Sequence, residues 1–266
     1  MKRIAILTLA IMVMLCGVFV SGCEKTSQKE YIGIISAMDN EMNTLLSEAK
    51  IERVDKIGGE YYHVGTLHGK SVVITKAGIG KVRASSGVTT LLNIYNISNI
   101  IFTGIAGGVA DETEVLDEVI ATNVVEHDYG IITNEGFSWL SGDPGMGGEE
   151  GLYYECDKRL VEIAYNAAVE TLGGKFNVFK GTIATGDQFI ASEECVERLQ
   201  NDYNAYACEM EGAAVAAICI NYQTPFVIIR ALSDKADGNA HESYKDFAYI
   251  AADNSSKIVL KMLENL

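Results

Sequence analysis

Carboxylate side chains follow the apolar, strand-like runs of this sequence at three places. Glu41 comes soon after the run at 31–37, Glu209 and Glu211 lie at the start of a helix of small residues, and Asp234 ends another run. Carboxyl groups can act as general acids and bases. Ligands of open α/β sheets bind beyond the carboxyl ends of the strands, so we expect Asp234 to lie at a site of chemistry. Glu41 is open to two interpretations, a site residue or a surface acid that favours the helix dipole.

The elements that must position these carboxylates alternate along the chain. Short runs rich in β-branched residues predict strands, and segments with helical spacing of apolar residues predict helices. The predicted strands are 31–37, 61–67, 71–78, 99–108, 115–125, 178–185 and 225–232, and the predicted helices are 38–46, 81–95, 157–172, a segment after 192, 210–222 and 243–263. This alternation predicts an α/β fold, a three-layer α/β/α sandwich around a twisted, mixed, mostly parallel central sheet.

A glycine-rich turn and one long loop interrupt these elements. The segment Ala77-Gly-Ile-Gly80 lacks the G-x-G-x-x-G spacing of a dinucleotide site and is interpreted as a tight turn. Residues 130–152 are predicted to form a glycine-rich loop, which at such length is often a binding lid or a partner contact. His127 and Asp128 precede it and are interpreted as a structural pair rather than a catalytic dyad.

The composition indicates a single globular domain with an acidic surface. Apolar residues make up 48% of the 266 positions, which is ample for a large core, and nothing in the interior of the chain is typical of a linker. The formal net charge is −15. A surface of this sign repels phosphate backbones, so nucleic acid is excluded as an expected partner.

The N-terminus differs in kind from the rest of the chain. Residues 1–22 have the basic start and apolar centre of a signal peptide, and Val20-Ser-Gly-Cys23 resembles the lipobox of bacterial lipoproteins. That resemblance implies lipidation at Cys23, a polar tether at 24–30, and a single domain at 31–266. We therefore expect an exported protein that is lipid-anchored to the outer face of the bacterial cell membrane. An uncleaved membrane anchor is the alternative.

The cysteines and histidines do not indicate a metal site. Cys16 lies in the signal segment and Cys23 is the proposed lipidation position, while the other four cysteines and the four histidines lack metal-ligand spacing. We interpret the remaining cysteines as buried free thiols, although one disulfide is possible in an exported chain.

Taken together, the motifs resemble those of the bacterial 5′-methylthioadenosine/S-adenosylhomocysteine nucleosidases. The resemblance runs in order from about residue 31 to 266 and depends on several segments. They are Ile34-Ile-Ser-Ala-Met-Asp-Asn-Glu41, Ala77-Gly-Ile-Gly-Lys81, Thr103-Gly-Ile-Ala-Gly-Gly108, Thr185-Gly-Asp-Gln-Phe-Ile190, Glu209-Met-Glu-Gly-Ala213 and Arg230-Ala-Leu-Ser-Asp234. It implies a nucleoside phosphorylase-like fold, a homodimer, and hydrolysis of an adenine nucleoside without a cofactor or a metal.

The resemblance also implies a role for each matched position. Asp234 would protonate N7 of the departing adenine, Glu41 would activate the attacking water, and Glu211 would hold the ribose hydroxyls. Near the sugar and the water, Met210 would line the ribose, Arg230 would lie near the water, and Ser233 would orient the acid. Phe189 would stack on adenine, and the backbone of Ile190 would read its N1/N6 edge. The residues around the sugar and the 5′ group would be Met38, Ile79 and Tyr244. An oxocarbenium-like transition state does need an acid, a base and anionic groups.

Two features depart from the family pattern. Ile105 stands where many members place a small hydroxyl residue near the ribose and the water, which puts water placement and sugar preference in question. The loop at 130–152 also matches poorly, and in the family this region reaches the partner's 5′ pocket. The preferred 5′ substituent is therefore open.

Two other functions use a similar pocket. A purine nucleoside phosphorylase would need cationic groups around its phosphate, whereas the segment before Gly104 offers Ile101 and Phe102, and Glu41 would repel a phosphate. A nucleoside-binding lipoprotein would need neither an acid nor a base. The presence of Asp234 and Glu41 together favours a hydrolase.

Overall fold

The computed structural model describes residues 29–139 and 153–266. The predicted signal peptide at 1–22, the lipidation position Cys23, most of the tether, and part of the predicted loop lie outside the described residues. Within the described ranges, no helix is both long enough and apolar enough to span a membrane.

Strands and helices alternate over most of the described chain. Their bounds are β1 (Tyr31–Ser36), α1 (Asn43–Glu48), β2 (Lys50–Ile57), β3 (Glu60–Leu67), β4 (Lys70–Lys76), α2 (Lys81–Ile94), β5 (Ile97–Gly108), β6 (Glu118–Glu126), β7 (Gly130–Thr133), β8 (Gly136–Trp139), β9 (Tyr153–Glu155), α3 (Lys158–Leu172), β10 (Val178–Thr185), α4 (Glu193–Tyr203), β11 (Ala205–Glu209), α5 (Gly212–Asn221), β12 (Phe226–Asp234) and α6 (Ala240–Glu264).

One mixed sheet organises the molecule. Its strand order is β11-β10-β6-β12-β5-β1-β4-β3-β2, and β9 pairs with β6. The pairings of β1 with β4 and β5, of β5 with β12, and of β10 with β6 and β11 are parallel, while the remaining pairings are antiparallel. Cys208 of β11 also pairs with Gly107 of β5, so the sheet curls until its edge strand meets a central strand. The predicted α/β fold with a mixed central sheet is confirmed.

Helices flank the sheet in two groups. α2 packs against α5, whereas α6 packs against α1, α3 and the strands β5 and β12. β12 is buried along its whole length, as expected for an apolar strand covered on both faces. Polar side chains cap the N-termini of two helices, since Asp157 accepts a hydrogen bond from the amide of Leu160 and Ser192 accepts one from the amide of Cys195.

The structure differs from the predicted elements at several places, and β9 and β11 are among the strands that were not predicted. The first helix begins at Asn43 rather than Met38, since the Glu41 side chain accepts hydrogen bonds from nearby backbone amides and holds the preceding residues in turns. Residues 130–139 form the two-stranded ribbon β7–β8, not a loop. β2 was not predicted, because its alternation breaks where its register against β3 shifts, between Ile51 and Arg53.

Candidate active site

A cavity of about 480 Å³ opens beyond the carboxyl ends of β1, β5, β10, β11 and β12. This is where the topology of an α/β sheet places a ligand. The residues that line it are Ala37, Met38, Glu41, Ile79, Ile105, Ala106, Gly107, Gln188, Phe189, Ile190, Cys208, Glu209, Met210, Glu211, Ser233, Asp234, His241 and Tyr244. Every predicted site residue between positions 31 and 266 except Arg230 is therefore at this cavity.

Glu41 is fixed by backbone amides from two segments. One carboxylate oxygen accepts hydrogen bonds from the amides of Ala37 (2.9 Å) and Met38 (2.8 Å), and the other accepts one from Ile105 (3.0 Å). Only 2% of the residue is exposed. Burial raises the pKa of Glu41, while the charge of Arg230 and the three amides oppose that rise. Glu41 is thus a site carboxylate held in one orientation, and the surface interpretation is wrong.

Two glycines of β5 make room for the acidic side chains. Gly104 lies opposite Arg230 in the ladder between β5 and β12, and Gly107 lies opposite Asp234. A Cβ atom on Gly104 would come within 2.6 Å of the nearer Glu41 oxygen, and one on Gly107 would come within 2.8 Å of Asp234. The glycines therefore permit close approach of carboxylates to the strand.

Asp234 ends β12 with both oxygens hydrogen-bonded. The Ser233 hydroxyl donates to one oxygen at 2.8 Å, and the amide of Ala236 donates to the other at 2.8 Å. Burial raises the pKa of Asp234, and these two donors oppose the rise. A raised pKa favours the protonated carboxyl group, which a general acid requires.

Arg230 lies behind the cavity wall and not in it. Its guanidinium donates to Glu209 at 2.7 Å, approaches Glu211 at 4.0 Å, and stacks over the Phe102 ring at 4.1 Å. The residue is 1% exposed. From this buried position the cation acts on the surrounding carboxylates, and its place near the attacking water stays a prediction.

The two glutamates of the Glu-Met-Glu segment have different surroundings. Glu209 accepts hydrogen bonds from the Thr185 hydroxyl, from Arg230, and from the amides that begin α5. Glu211 accepts one from the amide of Gly80 at 2.8 Å. Burial raises the pKa of Glu211, and the neighbouring Glu209 charge raises it further, against the opposing effect of Arg230. Glu211 thus retains acceptor capacity that a ligand hydroxyl can use.

Apolar and aromatic side chains form the remaining walls. The Phe189 ring is half exposed and meets the Tyr244 ring edge-on at 6.0 Å and the His241 ring edge-on at 6.4 Å. Met38 and Ile105 pack with Tyr244 in one apolar cluster. Such walls suit a flat base and an apolar substituent.

A charged network holds the loop that carries Phe189. Asp128 accepts hydrogen bonds from the Lys81 ammonium (2.7 Å) and from the amide of Asp187 (2.8 Å), and Asp187 in turn accepts one from the Lys81 amide (2.8 Å). The His127 ring is buried against Gly186, and burial lowers its pKa. These contacts favour the structural interpretation of His127 and Asp128.

Sequence reasoning missed several groups that complete the site. The amides of Gly80 and Ala236 orient Glu211 and Asp234, and the His241 ring lines the cavity. The glycines at 78 and 80 were interpreted as a tight turn, although glycine also permits close approach of the backbone to a ligand, whereas nothing in the sequence singled out His241. In the described ranges, no group of three or more His, Cys, Asp or Glu side chains could hold a metal ion, and the four cysteines there are free thiols.

Comparisons with known proteins match this geometry. A sequence profile of the phosphorylase superfamily matches residues 31–264. The 5′-methylthioadenosine/S-adenosylhomocysteine nucleosidase of Bacillus subtilis is 37% identical over 237 residues, which are 88% of this chain and 99% of that protein. The crystal structure of the corresponding Neisseria meningitidis enzyme with methylthio-immucillin-A is 34% identical, with a TM-score of 0.80 over 90% of this chain and all of that one. Futalosine hydrolase of Helicobacter pylori is 29% identical, with a TM-score of 0.80 over 90% of this chain and 99% of that one.

Proposed function

Since the chain belongs to the phosphorylase superfamily and, within it, to the 5′-methylthioadenosine/S-adenosylhomocysteine nucleosidases, we propose that it hydrolyses the N-glycosidic bond of these nucleosides. The products are adenine and the corresponding thioribose compound. One observation carries the proposal. Asp234 and Glu41, both buried and both held by hydrogen bonds, line the same cavity.

The arrangement supplies each step of the hydrolysis. The bond between C1′ and N9 breaks, its electron pair goes to adenine, and Asp234 gives a proton to N7. Water attacks C1′ and gives its proton to Glu41, whose orientation the amides of Met38 and Ile105 fix. Glu211 holds the ribose hydroxyls, and its carboxylate favours the positive charge that develops on the sugar.

The electrostatics of the cavity favour water over phosphate as the nucleophile. Glu41 occupies the wall beside Ile105, where its charge would repel a phosphate dianion. The guanidinium of Arg230 is already paired with Glu209 at 2.7 Å and does not line the cavity. Within the described residues, no arginine or lysine lines the cavity. This arrangement supports hydrolysis against phosphorolysis.

A direct assay tests the proposal. The full chain, purified in detergent because of its apolar N-terminal run, is incubated in phosphate-free buffer with methylthioadenosine, adenosylhomocysteine, adenosine, 5′-deoxyadenosine, inosine or futalosine, and base release is measured. We expect adenine from methylthioadenosine, adenosylhomocysteine or both, and loss of the activity in Asp234→Asn and Glu41→Gln. Release only after phosphate is added would indicate a phosphorylase, and tight binding without turnover would indicate a nucleoside-binding lipoprotein.

We also propose that the chain works as a homodimer that covers the cavity mouth. Ile132 and Phe137 lie opposite each other in the β7–β8 ribbon, and they are 83% and 41% exposed. A two-stranded ribbon with an exposed apolar face is marginally stable without a partner. The ribbon follows Asp128, which binds the loop before Phe189, so a second copy seated on it would lie near the cavity. Sedimentation analysis should give a dimer, and Ile132→Asp should shift the mass toward the monomer.

Finally, we propose that lipidation at Cys23 anchors the protein to the outer face of the cell membrane. β1 begins at Tyr31, right after the proposed tether, and runs about 20 Å before Ala37 reaches the cavity. The tether therefore joins the domain at the end opposite the cavity mouth, which leaves the mouth directed away from the membrane. Mass spectrometry of the membrane fraction should find lipid on Cys23, and Cys23→Ala should release the protein from that fraction.

A further inference from the structure

One polar atom is set into the apolar wall beside Glu41. Met38, Ile105 and Tyr244 pack together there, and the amides of Met38 and Ile105 both bind the Glu41 carboxylate. The hydroxyl of Tyr244 is 3.5 Å from the Met38 sulfur. This hydroxyl thus lies at the end of the wall that also positions the base for water.

The Tyr244 hydroxyl donates its hydrogen bond to a weak acceptor, the sulfur of Met38. A thioether sulfur accepts hydrogen bonds poorly compared with an oxygen atom. Burial raises the pKa of Tyr244, and the charges of Glu41 and Asp234 raise it further, so the hydroxyl keeps its proton at neutral pH. An oxygen atom of a ligand that reaches this position offers the hydroxyl a stronger hydrogen bond than Met38 does.

The position of the hydroxyl is set by packing of the ring. The Tyr244 ring meets the Phe189 ring edge-on at 6.0 Å, with an interplanar angle of 90°. Tyr244 lies in α6, a helix of 25 residues that packs against β5 and β12. Removal of the hydroxyl alone leaves these ring contacts in place, so its effect can be separated from the effect of the ring.

We propose that the Tyr244 hydroxyl donates a hydrogen bond to an acceptor at the 5′ position of the nucleoside, and so sets the preference for a 5′ oxygen. This inference rests on the proposed function, in which the base binds near Asp234 and the ribose near Glu211. The 5′ carbon then points to the wall that Met38, Ile105 and Tyr244 form. The substrate class that the hydroxyl favours is an adenine nucleoside with a 5′ hydroxyl or another 5′ oxygen.

Two substrates that differ only in the 5′ oxygen isolate this contact. Adenosine and 5′-deoxyadenosine are compared as the ratio of their kcat/KM values, with the full chain in detergent. A neutral hydrogen bond lost from a bound ligand changes affinity by about three- to tenfold, so Tyr244→Phe should lower the adenosine to 5′-deoxyadenosine ratio by about that factor. Tyr249→Phe is the matched control, since Tyr249 lies on the same helix and is 71% exposed. It should leave the ratio at the wild-type value.

The outcomes separate this inference from the function on which it rests. An unchanged ratio in Tyr244→Phe, whatever the change in absolute rates, overturns the hydroxyl contact. Cleavage of 5′-deoxyadenosine by the wild type without any cleavage of adenosine overturns it as well, and both results leave the nucleosidase activity standing. If the wild type releases no base from any nucleoside of the panel, the proposed function fails and the inference fails with it.

Discussion

Substitution of Gly104 by alanine tests whether the position of Glu41 controls the rate. A Cβ atom at residue 104 would lie 2.6 Å from the nearer Glu41 oxygen and 3.2 Å from a nitrogen of Arg230. The first distance is about 0.8 Å shorter than ordinary van der Waals contact, so the carboxylate must move. The backbone of residue 104 does not have a positive φ, so alanine itself introduces no conformational strain there.

The geometry sets the size of the expected effect. The displaced oxygen is the one that accepts the 3.0 Å hydrogen bond from Ile105, so a shift of this size weakens that bond and turns the base away from the attacking water. A misplacement of about 1 Å in a catalytic group can cost about a hundredfold in rate, which corresponds to about 2.7 kcal/mol of activation free energy. The proposed contacts to the adenine, the ribose and the 5′ group of the substrate do not involve Gly104. KM should therefore change less than kcat.

Steady-state adenine release from methylthioadenosine measures this effect. We expect Gly104→Ala to lower kcat about a hundredfold. Gly238→Ala is the control, because the nearest atom to its new Cβ would be a Glu193 carboxylate oxygen at 3.3 Å, outside the cavity lining. Thermal unfolding checks that both variants fold. A folded Gly104→Ala protein with kcat within threefold of the wild type would refute the claim that the placement of Glu41 limits the reaction.

Three further predictions follow from the buried charges. Ser233→Ala removes a donor that lowers the pKa of Asp234, so the alkaline limb of the pH profile of kcat/KM should move to higher pH; a move to lower pH contradicts this. Burial raises the pKa of Glu118 well above 4.5, so the free energy of unfolding of the wild type should fall with rising pH by up to about 1.4 kcal/mol per pH unit more than that of Glu118→Gln. Urea unfolding at pH 5 to 8 measures both variants, and the same pH dependence in both contradicts the prediction. Arg230→Met leaves Glu209 buried without its 2.7 Å partner and should lower the free energy of unfolding by about 3–5 kcal/mol, while the double variant Arg230→Met/Glu209→Met should recover most of that loss.

The fold followed from periodicity wherever the apolar pattern was strong. β12 is buried throughout and was evident as an apolar run, and β3 and β4, which pair as a hairpin, match the predicted strands 61–67 and 71–78. The first helix was placed too early because propensity cannot register the hydrogen bonds that Glu41 accepts from Ala37 and Met38. The return of β11 to β5, which narrows the sheet around the cavity, is a long-range pairing with no local signal.

The sequence also revealed some residues of the site and not others. The residue types at 41, 211 and 234 could be named from the sequence because each carboxylate lies near the start or the end of a predicted element. The burial of Arg230 among carboxylates could not be derived from the sequence, because the rest of β12 is an apolar run and the partners Glu209 and Phe102 come from other strands. Backbone donors such as the Gly80 amide are independent of side-chain identity, so composition and spacing could not reveal them.

The Glu-Met-Glu segment shows how two identical side chains acquire different chemistry. Glu209 accepts hydrogen bonds from the Arg230 guanidinium, the Thr185 hydroxyl and the first amide of α5. Together these donors compensate the burial of its carboxylate. Glu211, two residues on, receives the amide of Gly80 and lies 4.0 Å from the same guanidinium. One buried cation therefore interacts unequally with two acids, and the less compensated acid is the one that we propose holds the ribose. A sugar hydroxyl that donates to Glu211 completes its hydrogen bonding and favours its ionised form, so substrate binding itself prepares the negative charge that stabilises the oxocarbenium-like transition state.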